Sequence, residues 1–236
     1  MTLSSVGTAP TDFYSGQHPA DVALYSYADA SKLIGVSPST ARWWTRGRLR
    51  DGYQPVIPEA RERDYKGLSF NDLLEVHAIH RLRRVHGVGL ESIRRAVIFA
   101  EKQMGITRPL LRNDLATFGG EIFVKELGAD VGLSTGGQIA LRGVIESFLQ
   151  RLDRDEMLRP ISFYPMFIGM DQVTDQKPIA ISPAIAFGRP TIAGTGIKTT
   201  VIASRIDSGE TEAAIAADYG LSINLITSAV IYEFAS

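Results

Sequence analysis

Cysteine is absent from the 236 residues, which excludes disulfides, thiolate metal sites, a cysteine nucleophile and a thiol redox switch. Long hydrophobic helices are not expected either. Uncharged stretches such as Pro160 to Met170 and Pro178 to Gly188 are 11 residues long and carry prolines, against the roughly 20 apolar residues that cross a bilayer. No membrane span is therefore expected. The first ten residues hold no Lys or Arg and no apolar core, so neither a secretory signal nor a transit peptide is read there, and the expected location is the cytoplasm. Positive charge is missing from residues 211–236, which contain Glu212, Asp218 and Glu233 and not one Lys or Arg. What is present suffices for a globular protein: 44% hydrophobic and 22% charged residues can build one large core or two to three small ones.

The formal net charge of -1 conceals a segregation. Residues 42–112 hold 15 Lys or Arg against 8 Asp or Glu, residues 1–41 hold 1 against 3, and residues 113–236 hold 9 against 15. A basic segment beside an acidic one suits a polyanion-binding module attached to a part with a different task, because only the first gains from counterion release at phosphates.

The local signals are read in chain order. Residues 1–24 are rich in Ser, Gly, Pro and Thr without periodicity and are expected to form a flexible tail or an arm that orders on contact. A helix is predicted over Tyr27 to Ile34, closed by Gly35, and a second over Pro38 to Arg46, started by Ser37 and stopped at Gly47. Two short helices joined by Gly-Val-Ser are the helix-turn-helix arrangement. The stretch from Gly47 to Leu68, broken by Gly52, Pro55 and Pro58, is expected to be a β-hairpin wing carrying Arg61, Arg63 and Lys66. Ser69 and Asp72 predict a capping box for a helix to about His86, and a further helix follows from Leu90 to Met104. Beyond residue 105 the pattern predicts a hairpin over Thr117 to Val124, a turn at Gly136-Gly137, an amphipathic helix over Ile139 to Leu152 and a strand over Leu158 to Phe167. From Lys177 onward, short strands around Pro178 to Pro183 and Phe187 to Gly196 precede helices over Thr199 to Asp207, from Thr211 to Tyr219, and over Ile223 to Phe234.

The resulting expectation is an α+β chain, mainly α. It divides into the tail (1–24), a winged helix-turn-helix (25–105), a mixed middle region (106–176) and a C-terminal unit of short strands plus helix-turn-helix (177–236).

Two segments resemble known families. "YADASKLIGVSPSTARWWTRGRL", with the wing and "LSFNDLLEVHAIHRLRRVHGVGLESIRRAV", resembles the winged helix-turn-helix of MerR-type regulators over residues 25 to about 100. That resemblance implies that Arg42, Trp43 and Arg46 enter the major groove while Arg61, Arg63 and Lys66 grip the backbone. The chain departs from the pattern in lacking cysteine and in interrupting the helix after Gly89 at Gly105 and Pro109. "ISPAIAFGRPTIAGTGIKTTVIASRIDSGETEAAIAADYGLSINLITSAVIYEFA" resembles the small C-terminal domain of VapB-type antitoxins in prokaryotic toxin-antitoxin pairs, whose signature is Gly-Arg-Pro followed by Gly-Thr-Arg. Gly188-Arg189-Pro190 and Gly194-Thr195 match; Gly196 stands where Arg is usual. The resemblance implies an antitoxin that neutralises a VapC-type PIN-domain ribonuclease and binds operator DNA to regulate its own operon; the two-fold reading of half-sites by helix-turn-helix proteins and the nearly all-apolar last helix predict a homodimer. The alternative is a one-component MerR-like regulator whose residues 113–236 bind a small effector.

Other chemistry is set aside on the residues themselves. A helix bringing Glu212, Asp218 and Glu233 to phosphates is repelled, so residues 211–236 read as a protein-contact surface. Within residues 113–236, the cations best placed to meet a toxin are Arg189, Lys198 and Arg205. His77, His80 and His86 share a helix, but no acidic residue sits at the matching turn and His77 lies beside Phe70, Leu73 and Leu74, so a core histidine is expected and no metal. Gly194-Thr-Gly-Ile-Lys-Thr199 fails the phosphate-loop pattern, since Ile197 separates Gly from Lys, and reads as a β-turn. No catalytic constellation and no cofactor motif stand out, so the chain is not expected to be an enzyme.

Overall fold

The structure, a computed structural model, describes residues 14–47, 52, 54–57, 67–112, 118–128, 135–166 and 177–234. Local capping determines where the first helices begin and end. The Ser26 hydroxyl accepts from the Asp29 amide at 3.0 Å and Asp29 Oδ2 accepts from the Ser26 amide at 3.3 Å, starting α1 (Tyr27–Ile34). Gly35 ends it in the left-handed conformation at φ 65. Helix α2 (Pro38–Arg46) starts on Ser37 with Pro38 in its first turn. Strand β1 (Ala23–Tyr25) pairs antiparallel with β2 (Leu68–Ser69). Ser69 and Asp72 form the second capping box, heading α3 (Phe70–His86), and α4 (Leu90–Met104) follows. The expected bounds of these four helices are the observed ones.

Several readings differ from the structure. Residues 14–24 are packed rather than tail-like: Tyr14 is buried and donates to the Pro183 carbonyl at 2.6 Å, and Ala20 is wholly buried in the short helical turn Pro19–Asp21. Residues 1–13 lie outside the described residues. The hairpin expected over Thr117 to Val124 is instead helix α5 (Phe118–Gly128), because Phe123, Val124 and Leu127 enter the core at helical spacing against α4. Gly136-Gly137 is no turn but the opening of α6 (Thr135–Leu149), whose Leu141, Ile145 and Phe148 are buried. That helix stops at Leu149, and Leu152 belongs to β3 (Leu152–Arg154), paired antiparallel with β4 (Pro160–Phe163).

The C-terminal strands and helices follow the sequence expectation closely: β5 (Ile179–Ala180) pairs antiparallel with β6 (Thr191–Ile192), then come α7 (Thr199–Asp207), α8 (Glu212–Tyr219) and α9 (Ile223–Phe234). The molecule is mainly helical, with small antiparallel sheets.

Packing gathers these elements around two apolar cores. One runs from Ala20 through Phe70, Leu73, Phe123, Leu141 and Phe163 to Ile181, so residues on both sides of position 105 share it. The other is built by Ile179, Ile192, Ile202, Ile215, Ile226 and Tyr232 within the C-terminal unit. The two are joined by backbone: Phe163 and Ile181 exchange hydrogen bonds of 2.9 and 2.8 Å.

Candidate nucleic-acid interface

Helix α2 sorts its side chains by face. Ala41, Trp44 and Thr45 are buried, Ser39 and Arg42 are exposed, and Trp43 and Arg46 lie half-buried between. The buried face is held by polar contacts as well as packing: the hydroxyls of Thr45 and Tyr27 of α1 lie 3.1 Å apart, and Thr45 also donates to the Ala41 carbonyl at 2.9 Å. Of the two tryptophans, Trp44 belongs to the core, which leaves Trp43 beside the exposed arginine.

The chain leaving α2 is anchored. The Trp44 carbonyl accepts from the Val56 and Ile57 amides at 2.7 and 3.2 Å, and both of those side chains are buried. Arg94 of α4 donates to the carbonyls of Gln54 at 2.7 Å and Pro55 at 3.3 Å. Just before β2, a Cβ on Gly67 would meet the Tyr25 carbonyl at 2.5 Å, so only glycine permits that approach. Arg61, Arg63 and Lys66, the expected wing cations, lie outside the described residues. Arg94 reads in sequence as one more cation on a solvated helix face; nothing marks it as a loop anchor.

Behind this unit, Arg108 is clamped between two buried carboxylates of α3, Asp72 at 3.0 Å and Glu75. His77 on the same helix is packed between rings, 5.1 Å from Phe163 and 5.7 Å from Phe148. Burial, with Arg81 and His80 nearby, pushes its imidazole down to about 3, so it is neutral near pH 7. Its ring is half-buried against these two aromatics, on the apolar side of the helix that its neighbours in sequence predict.

The three C-terminal cations occupy different environments. Arg189, in the Gly-Arg-Pro turn, ion-pairs with Asp29 at 3.0 Å, joining the C-terminal unit to the capping carboxylate of α1. Although burial opposes it, hydrogen bonds from Ser26 and Arg189 hold the Asp29 carboxyl below its ordinary range. The preceding Gly188 is at φ 73, where a Cβ would lie 2.1 Å from the Tyr25 hydroxyl. Lys198 is exposed just before α7. Arg205 bonds Glu210 and Asp218, each at 2.6 Å, and covers the Tyr219 ring. Thr195 closes the Gly194-Thr195-Gly196 turn by bonding the Ile192 carbonyl, as a β-turn reading expects.

The last helix, apolar nearly all round in sequence, divides in the structure: Ile226, Ala229 and Tyr232 pack inward, while Ile223, Ile231 and Phe234 are exposed. No group of His, Asp and Glu among the described residues is arranged to hold a metal ion. No single helix among them is long and apolar enough to cross a membrane.

The fold recurs in a solved structure, the X-ray crystal structure of Rv2018 from Mycobacterium tuberculosis, at a TM-score of 0.65 and 23% identity over 89% of this chain and 98% of that one. Residues 179–232 match the model of a family described as a protein of unknown function, DUF433. Among curated proteins, the chain is similar to "Uncharacterized protein Rv2308" of Mycobacterium tuberculosis, 27% identical over 90% of each chain. It is likewise similar to a protein of the same organism named "Putative antitoxin VapB45", 25% identical over 89% of this chain and 93% of that one.

Proposed function

We propose that this protein is a DNA-binding antitoxin: it neutralises a cognate VapC-type PIN-domain ribonuclease through its acidic C-terminal unit and represses its own operon through residues 25–105 as a homodimer. The observation that carries the reading is the division of charge over two packed units. Arg42 projects from a short helix whose opposite face is locked into a core, as a groove-reading helix requires. Helices α8 and α9 carry no cation at all and expose Ile223, Ile231 and Phe234, which favours a protein over a polyanion as their partner. The similarity to a protein named as an antitoxin, covering nearly all of both chains, supports the same assignment.

The two halves of this function are tested together on the full chain. DNA from upstream of its gene should bind in a mobility-shift assay with steep salt dependence. The double variant Arg42→Ala/Arg46→Ala should bind at least about tenfold more weakly, the loss of about 1.4 kcal/mol. An unchanged midpoint removes the DNA-binding half. Co-expression with the product of the neighbouring reading frame should relieve growth arrest and yield a co-purifying complex; failure of both removes the antitoxin half.

A further inference from the structure

Helix α9 turns one apolar face to solvent along its whole length. At 3.6 residues per turn, positions 223, 227, 231 and 234 fall within about 80° of the helix circumference. Ile223, Ile231 and Phe234 on this face are 50%, 36% and 63% exposed, while Ile226, Ala229 and Tyr232 pack inward. Three large apolar side chains in one row, about 16 Å long at 1.5 Å per residue, differ from the scattered single residues of an ordinary surface.

Three features point to the chemistry of what covers the row. First, Thr227 stands in its middle, and the Thr227 hydroxyl donates to the carboxylate of Glu212 on α8. The centre of the apolar row therefore carries an acid beside it. Second, no Lys or Arg among the described residues pairs with Glu212, and residues 211–236 contain neither residue. The nearby acids Glu210 and Asp218, by contrast, both pair with Arg205. The complement of the row is an apolar surface with a cation at its middle. Third, the pattern opposes a second copy of the chain. In a two-fold contact centred on the row, Thr227 meets its own copy whichever way the helices run, and the two Glu212 carboxylates approach each other as they lose water.

We propose that Ile223, Ile231 and Phe234 seat an amphipathic helix of the toxin that bears a Lys or Arg in the middle of its apolar face, with that cation pairing with Glu212. A helix matches because the row is straight and about three turns long, the span over which residues at i, i+4 and i+7 of a partner helix meet such a face. The inference rests on the antitoxin reading and adds to it the face used and the element it holds. The homodimer that reads DNA then closes on another surface.

The test titrates the full chain with the purified product of the neighbouring reading frame in a calorimeter. Ile223→Ser/Ile231→Ser/Phe234→Ser should bind it at least about tenfold more weakly. Glu212→Gln keeps an acceptor for Thr227 and removes the charge; it should weaken binding by about three- to tenfold at low salt and flatten the salt dependence. Glu146→Gln makes the same change of charge at an exposed position of α6 and should leave the affinity unchanged. A retained thermal midpoint shows that a variant is folded, and Glu212→Gln decides alone if the triple variant is not. Binding that withstands either the Ser or the Gln substitutions overturns the proposal and leaves the antitoxin reading standing, as does a loss in Glu146→Gln equal to that in Glu212→Gln. A dimer that dissociates in the triple variant, read by light scattering, assigns the face to a second copy and also overturns it. Absence of binding to the unaltered chain removes the proposal and the antitoxin reading together.

Discussion

His77 shows how one side chain is governed by what surrounds it. In an unfolded chain its imidazole protonates near pH 6.5, whereas in the fold burial among Phe148 and Phe163 delays protonation to about pH 3. Between those values the unfolded state holds the extra proton, so this residue makes stability fall as pH drops from about 6.5 towards 3. Phenylalanine fills the same ring-lined space without a titrating group. The thermal midpoint of His77→Phe should therefore gain on that of the parent as pH is lowered from about 7 to about 4, with all other acid-sensitive groups common to both proteins. Parallel curves would show that the folded imidazole accepts its proton normally.

At the scale of elements, capping explains why the N-terminal helices follow the sequence so closely. Each capping box satisfies otherwise orphaned amides with residues three apart in the chain, so its signal is local and legible. The helices α5 and α6 lack that legibility. Their glycines weaken helical propensity, and only packing of Phe123, Leu127, Leu141 and Ile145 into the shared core makes the helix win. Gly143 is exposed within α6, and a Cβ there would meet nothing within 4 Å. Replacing it with alanine should raise stability by about 0.5–1 kcal/mol, read as a higher midpoint in urea at an unchanged m-value. A loss of stability would mean that the backbone at this position is not helical.

At the scale of the whole molecule, the C-terminal unit is tied to the N-terminal helices by the turn that its sequence motif marks. The Phe163–Ile181 bridge, the Tyr14–Pro183 hydrogen bond and the Arg189–Asp29 pair all cross that boundary. The ion pair is exposed and contributes at most about 1 kcal/mol, so Arg189→Ala should be mild. Gly188→Ala should be severe. It forces a left-handed residue to carry a side chain, costing about 1–2 kcal/mol, and drives a methyl into the buried Tyr25 ring, costing about 1–3 kcal/mol more. Calorimetry should show one unfolding transition in Arg189→Ala and a separated, earlier transition of residues 177–234 in Gly188→Ala. A single unshifted transition in Gly188→Ala would show that the turn does not hold the two cores together.

The sequence alone determined the bounds of α1 to α4 and of α7 to α9, the division of charge, the place of His77 on the apolar side of its helix and the β-turn at Gly194 to Gly196, because each rests on neighbours within one or two turns of chain. Tertiary structure decided what depends on distant partners. It ordered residues 14–24 against Pro183, made helices of α5 and α6, assigned Arg94 to the loop after α2 and Arg205 to Glu210 and Asp218, and set Arg189 against a carboxylate 160 positions away. The Gly-Arg-Pro motif was visible as a pattern, but its role as the tie between two units required the fold. A side chain's partner is a matter of proximity in space, which composition, periodicity and spacing along one chain do not encode.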